Sequence, residues 1–331
     1  HQFYVDGSPV VSDAYINGAW RTVLIGTLRA GGKGLFALDV TNPDEVKLLW
    51  EFNDSNIPTS NNSARLGYSF AQPSVARLHN GKWAVITGNG YDSANQNNGK
   101  AALLIIDLGT GTLTKSIEVS GTNGVANGLS TPTVADMNVD GVADYAYAGD
   151  IQGNMWRFNL APASNSAANP FARLGSETSA AETSFQVSYN GAPLYRALSS
   201  NSARQPITAA PTIVRHPSRV GYIIIFGTGK YYQEGDKNGA ADLKQSIYGI
   251  WDTGVLNNSA TTAIQPSNLT RARLQAQTMN ATLETTEGGQ EARLLSQNSI
   301  KWAVPPSTPT GSWIDNANHK YGWYFDFELS R

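Results

Sequence analysis

TPTVADMNVDGVADYAYAGDIQGNMWRFN, residues 131–159, is the stretch from which the fold can be read. Pro132 precedes the short apolar run Thr133-Val134, and an Asp-, Asn- and Gly-bearing loop follows from Asp136 to Asp144. The chain then runs as an apolar strand from Asp144 to Gly149, turns, and forms a further strand from Met155 to Asn159. Short strands bounded by Gly, Asn and Asp read as an antiparallel meander.

The same order recurs outward in both directions. The x-Pro-x-Val/Ile strand reappears as Ser8-Pro9-Val10-Val11, Gln72-Pro73-Ser74-Val75 and Ala210-Pro211-Thr212-Ile213. Apolar strands ending in Gly follow: Thr22 to Gly26, Trp83 to Gly88 and Tyr222 to Gly227. Third strands closing on Asp come next, from Leu35 to Asp39, Leu103 to Asp107, Tyr248 to Asp252 and Trp323 to Asp326. Behind Asp39 and Asp107 a fourth strand is expected, Val46 to Phe52 and Leu113 to Val119.

Four strands per unit, repeating at intervals of roughly 50 to 90 residues, are the signature of β-propeller blades. One small twisted sheet cannot bury both faces alone, whereas radially packed sheets bury one another. Each Pro stands at a strand start, where a missing N–H is tolerated. The expectation is an all-β, modified β-propeller with four-stranded, quinoprotein-like blades, complete or partial. Five units are expected, the fifth showing only its later strands.

The domain is expected to span residues 1–331, with insertions at about 161–204 and 254–299, the second holding a short helix near Ser267 to Thr278 behind Pro266. The start at His1 and the stop at Arg331 suggest a piece of a longer protein.

Composition narrows the function. Of 331 residues, 40% are hydrophobic and only 15% charged, with 32 Gly and 14 Tyr, which suits many short strands rather than long solvated helices. The net charge of −2, with Lys and Arg scattered singly, leaves no basic stripe for a phosphate backbone, so no nucleic-acid partner is expected. No apolar run nears the ~20 residues of a membrane span. With no cysteine there is neither disulfide, thiolate metal site nor Cys nucleophile.

The chemistry concentrates in Asp136-Met137-Asn138-Val139-Asp140-Gly141-Val142-Ala143-Asp144. Oxygen-bearing side chains at alternate positions, with Gly at the sixth, match a calcium loop, because Ca²⁺ takes six to eight hard oxygens from a sharply curling chain. Val142 would contribute only its carbonyl. The chain leaves the loop as a strand, so this is a hairpin form rather than an EF-hand. Without an ion, Asp136, Asp140 and Asp144 would repel one another at short range. Magnesium, with its stricter octahedral shell, fits less well. A plain Asx-rich turn is the competing reading.

Other motifs carry less. Gly227-Thr228-Gly229-Lys230 lacks the earlier Gly and the following Ser or Thr of a phosphate loop and reads as a strand-ending turn. Gly67-Tyr68-Ser69-Phe70-Ala71 lacks the final Gly of a nucleophile elbow. His1, His79, His216 and His319 have no acid or second His at ligand spacing and are expected to be solvated loop residues. Most of the eight Trp sit in repeat strands and are expected to pack between blades. No catalytic residues are assigned, and no enzyme is expected.

On the Asp136–Asp144 loop, the run Phe226-Gly227-Thr228-Gly229-Lys230-Tyr231 and the closing Gly322-Trp323-Tyr324-Phe325-Asp326-Phe327, the chain resembles the C-terminal domain of the PilY family, tip-associated assembly and adhesion proteins of bacterial type IV pili. The resemblance implies a modified propeller with one calcium site ligated by Asp136, Asn138, Asp140, Val142 through its carbonyl, and Asp144. It further implies a surface-exposed, pilus-associated location in a Gram-negative bacterium. The implied partners are pilus subunits or minor pilins and the pilus assembly machinery, with host surfaces engaged through regions outside this chain. The implied role is to permit pilus extension against retraction, supporting twitching motility, attachment and virulence. Two alternatives remain at this level: a quinone-dependent dehydrogenase propeller, opposed by the absence of a Cys pair and a poised base, and an integrin-like adhesion propeller, in which several blades rather than one would carry the loop.

Overall fold

Strand Lys100–Asp107 shows how the chain assembles. Ala102, Leu104 and Ile106 join one apolar core, and Ala101, Leu103 and Ile105 join another, each of the six fully buried. A strand alternates its side chains between faces, so this one sits in a sheet covered on both sides. Each fully buried Leu or Ile contributes about 1.5–3 kcal/mol.

The computed structural model describes residues 4–59, 63–161, 185–238, 244–254, 269–279, 283–305, 307 and 313–327. Blade 1 is the meander β1 (Val10–Ile16), β2 (Ala19–Thr27), β3 (Gly34–Asp39) and β4 (Lys47–Asn53). Blade 2 repeats it with β5 (Ser74–Arg77), β6 (Trp83–Gly88), β7 (Lys100–Asp107) and β8 (Leu113–Ser120). Blade 3 comprises β9 (Thr133–Ala135), β10 (Tyr145–Gly149) and β11 (Asn154–Asn159), with β12 (Gln186–Val187) and β13 (Tyr195–Arg196) both pairing with β11. Blade 4 starts with β14 (Thr212–Arg215), β15 (Tyr222–Gly227) and β16 (Ser246–Asp252); β17 (Gln275–Gln277) and β20 (Gly322–Asp326) complete it in the order β14-β15-β16-β20-β17. A separate small hairpin pairs β18 (Glu284–Thr285) with β19 (Glu291–Ala292).

Three apolar cores lie between successive blades. The all-β, propeller-type architecture is therefore as read from the sequence, as an arc of four blades whose sheets do not close into a ring among the described residues.

The repeat has local causes. Asn17 and Gly18, at φ 51° and 80°, make the two-residue turn that matches strand twist and joins Ile16 to Ala19. Blades 1 and 2 carry a register shift at the same place, between Ala37 and Leu38 and between Ile105 and Ile106. The Asp that closes the third strand is a turn device: Asp39 accepts from the Thr41 amide, Asp107 from the Gly109 amide and Asp252 from the Gly254 amide. Glycines end second strands because neighbours crowd them. A Cβ on Gly88 would lie 2.3 Å from the Leu129 carbonyl oxygen, and one on Gly149 2.2 Å from Ile207 Cγ2.

Two sequence expectations need correction. The fifth unit does not exist as such: β20 pairs antiparallel with β16 and is an inner strand of blade 4. An apolar run ending in Asp is common to both strand positions, and only pairing tells them apart. In place of a helix over Ser267 to Thr278, the described part, from Leu269 onward, has one 3-10 turn at Arg271–Arg273 followed by β17, whose parallel pairing with β20 overrides local preference. Of the segment 161–204, residues 162–184 lie outside the described residues, and the remainder adds β12 and β13 to blade 3.

Charge is buried between blades 3 and 4. Arg157 on β11 and Asp252 on β16 are fully buried, with Arg157 Nη1 3.0 Å from both carboxylate oxygens. Tyr147 donates to Asp252 at 2.8 Å, Tyr189 donates to it as well, and the guanidinium lies 4.2 Å from the Tyr189 ring centroid. Burial opposes the Arg157 charge, but Asp252 together with Tyr189, Tyr147 and Tyr145 outweighs it and raises the Arg157 pKa. Arg157→Met strands the Asp252 carboxylate in an apolar core, and urea unfolding should show a loss of about 3–5 kcal/mol, largely recovered in Arg157→Met/Asp252→Leu.

Within blade 4, burial pushes the Asp326 carboxyl up, but hydrogen bonds from Arg271 and Ser246 and the Arg271 charge carry it below its ordinary 3.8. A carboxylate lowered by folding stabilises above its unfolded pKa and loses that contribution as pH falls through the folded one. Thermal midpoints measured from pH 6 to 2 should thus fall below about pH 4, less steeply in Arg271→Met.

Candidate metal centre

β9 and β10 pair antiparallel with Ala135 opposite Tyr145, which makes residues 136–144 the connection of a hairpin. The Asp144 amide donates to the Ala135 carbonyl at 2.9 Å and closes it. Asp136 organises the turn: its Oδ1 accepts from the Val139 and Asp140 amides at 2.6 and 3.2 Å, and its Oδ2 from the Gly141 amide at 2.7 Å. The chain can curl this tightly because Val139 and Gly141 adopt φ 62° and 85°. Val139 points to solvent, 88% exposed.

Asn138 and Asp140 join the same network. Asn138 Oδ1 accepts from the Asp140 amide at 3.1 Å, Asn138 Nδ2 donates to Asp140 Oδ2 at 3.1 Å, and Asp140 Oδ1 accepts from the Val142 amide at 3.0 Å. The Val142 residue itself is buried. Asp144 stands apart from this group. It is 2% exposed, its Oδ2 accepts from the Met137 amide at 2.8 Å, and its Oδ1 lies 2.9 Å from His79 Nε2.

The structure thus gathers Asp136, Asn138 and Asp140 in one network and links Asp144 to it through the backbone of Met137. Among the described residues no three His, Cys, Asp or Glu side chains converge as a ready-made metal cluster. The donor set nevertheless suits calcium in kind: three carboxylates, one amide oxygen and one carbonyl are all hard oxygens. A groove of about 350 Å³ runs beside the loop, lined by Val75, Arg77, Trp83, Asp136, Gly141 and Val142.

The histidines require a correction. His1 lies outside the described residues, but His79, His216 and His319 are 0%, 2% and 5% exposed, not solvated. His216 stacks on Trp251 at 3.8 Å and 6° and bonds Ser218, and burial lowers its pKa to about 4. His319 Nδ1 accepts from the Asn316 amide. His79 sits in the β5–β6 turn and meets an Asp 65 residues away. Its partner is remote in sequence, so no spacing rule could find it.

Other readings are settled by geometry. Ser69 is buried and its hydroxyl donates to the Gly34 carbonyl at 2.6 Å, tying its loop to the start of β3. β15 ends at Gly227, and Lys230 pairs with Asp236 at 2.9 Å, so that segment is a strand-ending turn. The same connection places Tyr232 against Phe70 at 4.5 Å and Tyr91 at 5.1 Å, reaching from blade 4 to the loops of blades 1 and 2. Trp50 docks blade 1 on blade 2 by donating to the Leu108 carbonyl at 2.8 Å, whereas Trp20 is 63% exposed. Among the described residues no helix is long and apolar enough to cross a membrane.

The family model for the PilY1 beta-propeller domain matches residues 1–289. The type IV pilus biogenesis factor PilY1 of Pseudomonas aeruginosa strain PAO1 is 52% identical over 332 residues, covering 100% of this chain and 27% of that protein. A PilY1 homolog of Xylella fastidiosa is 35% identical over 339 residues, covering 98% of this chain and 20% of that protein. The crystal structure of the P. aeruginosa PilY1 C-terminal domain superposes with a TM-score of 0.83 at 51% identity, covering 99% of this chain and 63% of that one. The chain therefore spans about a quarter of the length of its Pseudomonas relative. Four-stranded blades, the hairpin loop and these matches lead to one conclusion: the chain belongs to the PilY1 β-propeller family.

Proposed function

We propose that this chain is the calcium-binding, non-enzymatic module of a type IV pilus biogenesis factor. The relatives it matches carry that name. The observation that supports calcium is the loop itself, in which Asp136 is pinned by three backbone amides with Asn138 and Asp140 beside it and Asp144 at its exit. On this reading Asp136, Asn138, Asp140 and Asp144 hold the ion by side-chain oxygens and Val142 by its carbonyl. The ion supplies positive charge that offsets repulsion among three carboxylates.

The chain's own residues do the rest. Asp136 sets the curl, Gly141 permits it, and Asp144 anchors the exit to the blade. Binding confined to the folded state adds about 2.7 kcal/mol when free calcium is a hundredfold above the dissociation constant. The ordered loop changes how the domain engages pilus subunits, minor pilins and the assembly machinery at the surface of a Gram-negative cell. Extension is thereby favoured over retraction, with twitching motility, attachment and virulence downstream. Contact with host surfaces belongs to regions outside this chain.

Titration calorimetry of this chain with CaCl₂ should give binding to a single site that Asp140→Ala abolishes. Cells carrying Asp140→Ala in the full-length protein should extend fewer pili and show smaller twitching zones. Normal pili in cells whose purified variant no longer binds calcium would sink the regulatory role while leaving the site intact.

A further inference from the structure

The loop is not supported by its own blade alone. His79 belongs to blade 2, in the turn between β5 and β6, yet its Nε2 lies 2.9 Å from Asp144 Oδ1 of blade 3, with the two side chains 0% and 3% exposed. The Ala143 amide, next to Asp144, donates to the carbonyl of Arg77 at the end of β5 at 2.8 Å. Side chain and backbone therefore both tie the loop exit to the same turn of the neighbouring blade.

The hydrogen-bond chemistry defines the tautomer. A carboxylate oxygen only accepts, so His79 Nε2 carries the proton and donates it. His79 Nδ1 is buried and has no hydrogen-bond partner. The imidazole has therefore given up solvation at both nitrogens and recovered a partner at one, and that partner is the last acid of the loop. The remaining oxygen of Asp144 is taken by the Met137 amide. The carboxylate is thus gripped from two sides, one inside the loop and one outside it.

We infer that His79 is a positioning residue for the loop's cation: it sets the orientation in which Asp144 presents its oxygens and carries the state of the loop into blade 2. The inference rests on the calcium reading above. Outer groups that hydrogen-bond a ligating carboxylate fix its geometry, and their loss typically costs 10–100-fold in metal affinity. An ion drawing on Asp144 pulls on His79, and the β5–β6 turn moves or stiffens with it. Tyr222 of blade 4 donates its hydroxyl to the Met137 carbonyl at 3.4 Å and flanks the loop from the other side.

The test compares the whole chain with Asp140→Ala, His79→Phe and His79→Gln, using CaCl₂ as the probe in titration calorimetry and hydrogen exchange with and without calcium. His79→Phe keeps the volume and removes the donor; His79→Gln restores a donor of similar reach. The expected result is a 10–100-fold loss of affinity in His79→Phe, partly recovered in His79→Gln. Calcium should also slow exchange in the β5–β6 turn of the unaltered chain, and this effect should vanish in His79→Phe. Unchanged affinity in a folded His79→Phe overturns the inference while leaving the calcium site standing. If His79→Phe does not fold, calcium-insensitive exchange in the β5–β6 turn of the unaltered chain overturns it, and calcium-slowed exchange there supports it. If the unaltered chain binds no calcium, or Asp140→Ala binds as well as the unaltered chain, the calcium reading and the inference fall together.

Discussion

Burial of each four-stranded sheet against its neighbours is the constraint on which everything else here depends. A twisted meander of this size leaves one apolar face bare unless a second sheet covers it. β7 answers that constraint residue by residue, sending alternate side chains into the cores on its two sides. Tyr145 and Tyr147 on β10 face blade 4, and Ala146 and Ala148 face blade 2. On β10 the small residues thus face blade 2 and the large ones blade 4, and Trp156 and Phe158 of β11 fill the blade 2 side.

Apolar contact is non-directional, so it brings blades together without fixing where one stands along the next. Directional contacts supply that information. Trp50 reaches the Leu108 carbonyl between blades 1 and 2, His79 reaches Asp144 between blades 2 and 3, and Arg157 reaches Asp252 between blades 3 and 4. Each of the three junctions thus holds at least one buried polar clasp inside or beside its apolar core. The buried carboxylate of Asp150 plays a related part within blade 3. Burial pushes its pKa up, while Asn154, Trp156 and Asn127 donate to it and pull the corner between β10 and β11 together.

The loop Asp136–Asp144 takes its importance from this arrangement. It joins two strands of blade 3, but its last acid forms the clasp to blade 2 and its backbone at Met137 meets Tyr222 of blade 4. The loop is therefore part of a junction between blades as well as a surface turn. The family to which the chain belongs is one of pilus biogenesis factors by name.

Much of this was legible in the residues. The recurring Pro before the first strand, Gly at the end of the second and Asp at the end of the third announced a repeated meander, and each has a local cause. Pro needs no partner for its nitrogen, Gly admits a neighbouring backbone, and Asp accepts the amide two residues on. Such causes act over a few residues, so they survive in sequence. The four oxygen-bearing side chains of the loop, with Gly141 among them, were visible for the same reason. Pairing and contact between distant segments were not. Trp323 to Asp326 reads like any third strand, and only its pairing with β16 makes it part of blade 4. Arg271–Gln277 ends in a strand because β20 is there to receive it. His79 and Asp144 are separated by 65 positions and a whole blade, and no periodicity links them. Local stereochemistry wrote the repeat and the loop into the sequence, whereas the docking of one blade on the next decided which side chains the loop would answer to.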